Sequence, residues 1–142
     1  MNIEKISDDW IIILCAIVND AKHMVECDNV NKKRREMALP IRQTRKQRGL
    51  EKITVFKDIQ NRNVWRAEKG KLPLKDLPEG FTLKDLPDDE VKIWFALGAE
   101  IIDFSCLGAG VRPYIEAIWI HCQNECDNRK IETKFLCDLE MK

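Results

Sequence analysis

The chain has 142 residues, 44% of them hydrophobic and 34% charged, and its 24 basic side chains balance its 24 acidic ones. That length suits one domain with a core of its own, and the apolar content, with four Trp and five Phe, excludes a disordered chain. The zero net charge is a cancellation between regions. Residues 1–31 carry a net −4, residues 32–75 carry fifteen basic and four acidic side chains for a net +11, and residues 76–142 carry a net −7. Surface fields are set locally, within about 8 to 10 Å at ordinary salt, so a polyanion near residues 32–75 would meet a cation whatever the molecular total. The alternative is that the basic segment folds back on the acidic ends and neutralises them internally.

The elements follow in chain order. Ser7-Asp8-Asp9 supplies a cap and an acidic first turn, and apolar residues recur at Trp10, Ile13, Leu14, Ile17, Val18, Ala21, Met24 and Val25. The spacing predicts a first helix from about Asp8 to Cys27. Its apolar run, Trp10 to Val18, is nine residues, too short to span a bilayer, and it follows acids where a signal peptide needs bases. The expectation is an intracellular protein, cytoplasmic or nuclear, with no membrane partner. The six cysteines are then read as reduced thiols.

The basic block Asn31 to Gly49 reads as a second helix that Pro40 breaks or kinks and Gly49 ends. "ITVFKD" and "NVWRAE" flanking "IQNR" suggest a basic β-hairpin from Lys52 to Glu68. Between Gly70 and Asp89, Leu-Lys-Asp-Leu-Pro occurs at 74–78 and again at 83–87, in a proline-rich segment read as an ordered, leucine-anchored linker. Asp88 and Asp89 cap a helix from about Glu90 to Phe104, which Gly108 and Gly110 end. Pro113 opens a stretch with Ile115, Ile118, Trp119, Cys122 and Cys126 at helical spacing. A strand competes for Tyr114 to Cys122, and a short helix or strand follows from Asp127. The resulting fold class is α+β, predominantly α-helical, in one compact domain of 1–142. Within it lie a basic half (1–70), a Leu/Pro linker (71–88) and an acidic helical half (89–142).

The basic block carries the main functional signal. Lys32, Lys33, Arg34 and Arg35 form one cluster and Arg42, Arg45, Lys46 and Arg48 another, with Arg62, Arg66 and a stacking Trp65 extending the surface on the hairpin. On a helix Arg42, Arg45 and Lys46 share a face. Guanidinium groups grip phosphates in bidentate fashion and each contact releases counterions, so nucleic acid, DNA or RNA, is the polyanion that fits. Six phosphate contacts would give a log–log salt slope of about −5 on duplex DNA. Zinc-finger spacing and aromatic RNA-binding motifs are lacking, so backbone-dominated, non-enzymatic binding is the form expected. A solvated helix without a partner and a bipartite nuclear-import signal fit the same spacing. The runner-up is a protein-binding adaptor or inhibitor acting through its basic and acidic surfaces; opposite patches also permit head-to-tail self-association.

A weaker constellation pairs His23-x-x-x-Cys27 with Cys122-x-x-x-Cys126, which on neighbouring helices would offer three thiolates and an imidazole to structural zinc, with His121 and Cys137 as spare ligands. Free cysteines, however, commonly serve as small core residues. Catalytic patterns are thinner still. Glu132-x-Lys134 with an upstream acid such as Asp103 matches a magnesium nuclease motif only in outline, and Cys122 beside His121 sits at a spacing that rarely juxtaposes two side chains on a helix. No glycine-rich phosphate loop occurs.

Overall fold

The structure, a computed structural model, describes residues 1–20, 28–55, 63–64, 77–102 and 111–131. These residues are mostly helical, with four α-helices among them: α1 (Asp8–Cys15), α2 (Asp28–Gln47), α3 (Asp88–Ile101) and α4 (Arg112–Arg129). The predicted Ser7 cap is present, its hydroxyl accepting the Trp10 N–H. Helix α1 then widens into a π turn over Ala16–Asp20, and residues 21–27 of the expected first helix lie outside the described residues.

Pro40 does not break α2. Ala38 and Ile41 anchor the buried side on either flank, while Pro40 stands on the solvent side, and Thr44 Oγ1 donates to its carbonyl at 2.9 Å. Gly49 ends the helix as expected, at φ 71°. The predicted strand alternative for Tyr114 to Cys122 gives way to helix: Tyr114, Ile115, Ile118, Cys122 and Cys126 all turn inward from α4.

The α+β expectation is overturned. Among the described residues the extended pairing is two residues long, Ile53 with Asn63 and Thr54 with Val64, and it runs parallel, whereas a hairpin must pair antiparallel. Val55 is buried and Ile53 packs on the helical core, so these β-branched side chains plug the end of the helical assembly and do not line one face of a sheet. A two-stranded ribbon has too little apolar face to hold itself together in water.

The core draws on all four helices, with Ile11, Ile13 and Leu14 of α1, Ile41 of α2, Ile93, Trp94 and Leu97 of α3 and Ile115 and Ile118 of α4 among its buried side chains. The second Leu-Lys-Asp-Leu-Pro copy belongs to this body: Phe81 meets Trp94 edge to face at 5.3 Å, Leu83 is buried, and the Asn2 N–H donates to the Gly80 carbonyl at 2.7 Å.

The four helices form two hairpins constructed alike. In each, a 3₁₀ turn (Ile3–Lys5; Leu83–Asp85) passes through an extended residue (Ile6; Leu86) into a helix that opens with Asp-Asp. Each second helix is followed or closed by an arginine that reaches back to that turn. Arg48 donates to the Ile6 carbonyl at 2.6 Å and, less closely, to that of Ile3, and pairs with Asp8 at 3.1 Å. Arg129 donates to the Leu86 and Leu83 carbonyls at 2.7 and 2.8 Å and pairs with Asp88 at 2.9 Å. Both C-termini close with the same doubled bonds: Leu50 to Arg45 and Gly49 to Lys46 in one, Ile131 to Cys126 and Lys130 to Asp127 in the other, around left-handed Gly49 and Lys130.

Contacts between the hairpins obey the same equivalence. Trp10 of α1 meets Tyr114 of α4 at 5.8 Å, and the corresponding residues of the other pair, Glu90 of α3 and Lys33 of α2, lie 3.9 Å apart. The described residues thus repeat one construction twice, in two helical hairpins. α2 packs against α1 and α3; α4 packs chiefly against α3 and touches α1 through Tyr114 on Trp10.

Candidate nucleic-acid interface

Helix α2 divides its cations between structure and solvent. The buried face runs through Val30, Arg34, Met37, Ala38 and Ile41, so the opposite face is that of Lys32, Arg35, Leu39, Arg42 and Lys46, all exposed. These five follow a three-then-four spacing, which keeps them in a single stripe about 21 Å long at 1.5 Å per residue. No ion pair to Lys32, Arg35, Arg42 or Lys46 occurs among the described residues, although Glu36 flanks the stripe.

The other predicted cations are structural. Arg34 is 2% exposed; its guanidinium donates to the Val18 carbonyl at 2.7 Å and, through two nitrogens, to Asn31 Oδ1. Burial first, then the charge of Arg35 beside it, lower its pKa. Arg45 turns toward the chain that leaves α2 and donates to the carbonyls of Ile53 at 2.7 Å and Leu50 at 3.4 Å, so it does not share the outward face of Arg42 and Lys46. Arg48 is the clamp on the N-terminal turn. Lys33 leans to α3 and lies 4.0 Å from Asp89 and 3.9 Å from Glu90. Burial raises the Glu90 pKa; the nearby Lys33 works against that rise. Beside this pair is an open cavity of about 270 Å³, with Met37, Leu86 and Trp94 among its apolar lining.

Internal neutralisation, one of the two readings of the charge asymmetry, is therefore realised in part: Arg48 on Asp8 and Lys33 on Asp89 and Glu90. Arg62, Trp65 and Arg66 lie outside the described residues, as do Asp103, Glu132 and Lys134.

Of the zinc set, His23 and Cys27 lie outside the described residues, as does Cys137. Cys122 and Cys126 sit one turn apart on α4, both fully buried. Burial, reinforced by neighbouring acids, pushes both thiols up, so they are neutral core groups near neutral pH. Among the described residues no three potential ligands gather in one place. Nor is any helix among them long and apolar enough to cross a membrane.

Sequence reasoning missed the structural arginines, because a side chain's choice between phosphate and carbonyl is not written in its neighbours. It also missed the exposed Leu39 at the centre of the stripe, although the spacing of 32, 35, 39, 42 and 46 was available as a signal. Comparison with family models, curated proteins and solved structures returned no match for this chain.

Proposed function

We propose that the protein binds nucleic acid without catalysing a reaction, laying the exposed stripe of α2 along the phosphate backbone. The observation that carries this reading is the alignment of Lys32, Arg35, Arg42 and Lys46 on one solvent face with no competing ion pair among the described residues. Held on a rigid, anchored helix, the four cations are pre-ordered, so phosphates replace counterions without a further ordering cost in the backbone. Leu39 contributes apolar contact to sugars and carries no sequence readout.

The test is fluorescence-anisotropy titration of labelled single- and double-stranded DNA and RNA across a salt series, beside a variant with Lys32, Arg35, Arg42 and Lys46 changed to Gln. Four phosphate contacts predict a log–log slope of about −3.6 on duplex DNA and loss of binding in the variant. Arg34, Arg45 and Arg48 are left intact because their removal would disturb the fold. No binding at low salt, or equal binding by the variant, refutes the proposal and leaves the charged faces to a protein partner.

A further inference from the structure

The repeated construction lets the two equivalent helices be compared position by position. With Arg48 matched to Arg129, the α2 stripe Lys32, Arg35, Leu39, Arg42, Lys46 corresponds to Pro113, Glu116, Ile120, Gln123, Asp127 of α4. All five α4 residues are exposed, as their α2 counterparts are. Leu39 and Ile120 are each 42% exposed, and Met1 is the other large apolar side chain of that kind among the described residues. The two outer faces thus share a shape, an aliphatic knob midway along a stripe about 21 Å long, and differ in charge. In register, Arg35 matches Glu116 and Lys46 matches Asp127.

We propose that the protein associates with itself head to tail, the α2 face of one copy docking on the α4 face of the next, with Leu39 and Ile120 meeting at the centre. The occupant is argued from complementarity: the α2 stripe carries four cations, the α4 stripe carries Glu116 and Asp127 and no cation, and each face presents its aliphatic residue at the equivalent place. Both stripes are exposed in the same copy, so among the described residues both faces are available at once. Such a contact is heterologous, and it propagates unless the rotation between copies closes a ring. One helix on one helix is a small interface, so association is weak and depends on concentration and salt. The same α2 face serves nucleic acid in the reading above, so a second copy and a polyanion compete for it; the present inference stands on the paired faces and holds with or without that reading.

Sedimentation velocity on nuclease-treated protein tests it, at concentrations up to about 1 mM in low salt and in about 1 M salt, where the screening length is about 3 Å. The weight-average mass should climb from 16.6 kDa toward multiples at low salt and return to 16.6 kDa at high salt. A variant with Arg35→Glu and Lys46→Glu, and a second with Glu116→Lys and Asp127→Lys, should each remain monomeric, while a mixture of the two regains association because complementary faces are again present. Ile120→Arg, which leaves every acid of the face in place, should also remain monomeric. Circular dichroism confirms that each is folded. Wild-type protein that stays at one mass throughout, variants that associate as wild type does, or a mixture that fails to recover would each overturn the proposal.

Discussion

Replacing Arg129 with Met keeps most of the side chain's stem and deletes its donors, so it isolates the clamp on the turn before α3. The guanidinium makes two short bonds to the Leu86 and Leu83 carbonyls, at 2.7 and 2.8 Å, and its side chain is only 19% exposed. Bonds with a charged partner contribute about 1.5 kcal/mol each at the low end, giving roughly 3 kcal/mol for the pair. Asp88 is 73% exposed, so its ion pair adds only about 0.5 kcal/mol, and the Glu125 pair at i, i+4 adds a similar amount. A loss of about 3 to 4 kcal/mol follows, roughly 10 °C in Tm for a chain of this size. Urea unfolding followed by Trp fluorescence reads it directly, because Trp94 packs on Phe81 next to Leu83. Arg129→Lys should recover less than half the loss, since an ammonium on a flexible stem cannot hold both carbonyls in fork geometry. A loss under about 1 kcal/mol in Arg129→Met would refute the reasoning, for the clamp would then be ornamental.

Other outcomes are equally specific. Arg48→Met should cost less than Arg129→Met, about 2 kcal/mol, because only one of its carbonyl bonds is short and the other two are 3.4 Å; the same urea titration compares them. Gly80→Ala should destabilise more than Gly49→Ala in thermal melts. Both have positive φ, worth about 1 to 2 kcal/mol for a side chain, but a Cβ at Gly80 would stand 2.3 Å from the Asn2 carbonyl oxygen while one at Gly49 meets open space. Cys122 and Cys126 should resist thiol reagents in the folded protein and react at the unfolding rate. Burial raises the Cys122 pKa, so above about pH 8.5 the unfolded chain loses that proton first; stability should fall with rising pH by up to about 1.4 kcal/mol per unit, measurable as a declining urea midpoint. In Cys122→Ala that alkaline slope should shrink.

Particular elements show why the sequence was legible in some places and opaque in others. The Ser7 cap before Asp8-Asp9 and the Gly49 stop after α2 were local chemistry, acting through bonds a few residues long, whereas Asp88 and Asp89, expected as caps, form the acidic first turn of α3 behind Pro87. The inward faces of α3 and α4 were periodic and therefore readable, whereas α1 is buried on every side from Trp10 to Cys15. The hairpin was misread because β-branched residues at Ile53 and Val55 serve equally well as core plugs, and only their burial against helices decides between the two roles. The repeated construction escaped notice for a related reason. What the halves share is burial, two acids and one arginine, while a nine-residue repetition of Leu-Lys-Asp-Leu-Pro stood out more plainly.

What the sequence determined by itself is a helical, charge-segregated chain whose elements begin and end at identifiable residues, because capping and amphipathic periodicity act over one or two turns. What only the tertiary structure decided is the fate of each cation. Four of the eight in the block remain on the surface, while Lys33, Arg34, Arg45 and Arg48 are committed to carboxylates and carbonyls up to 57 residues away in the chain. A guanidinium meets phosphate or backbone carbonyl with the same geometry, so its assignment depends on which acceptor the packed helices bring within reach.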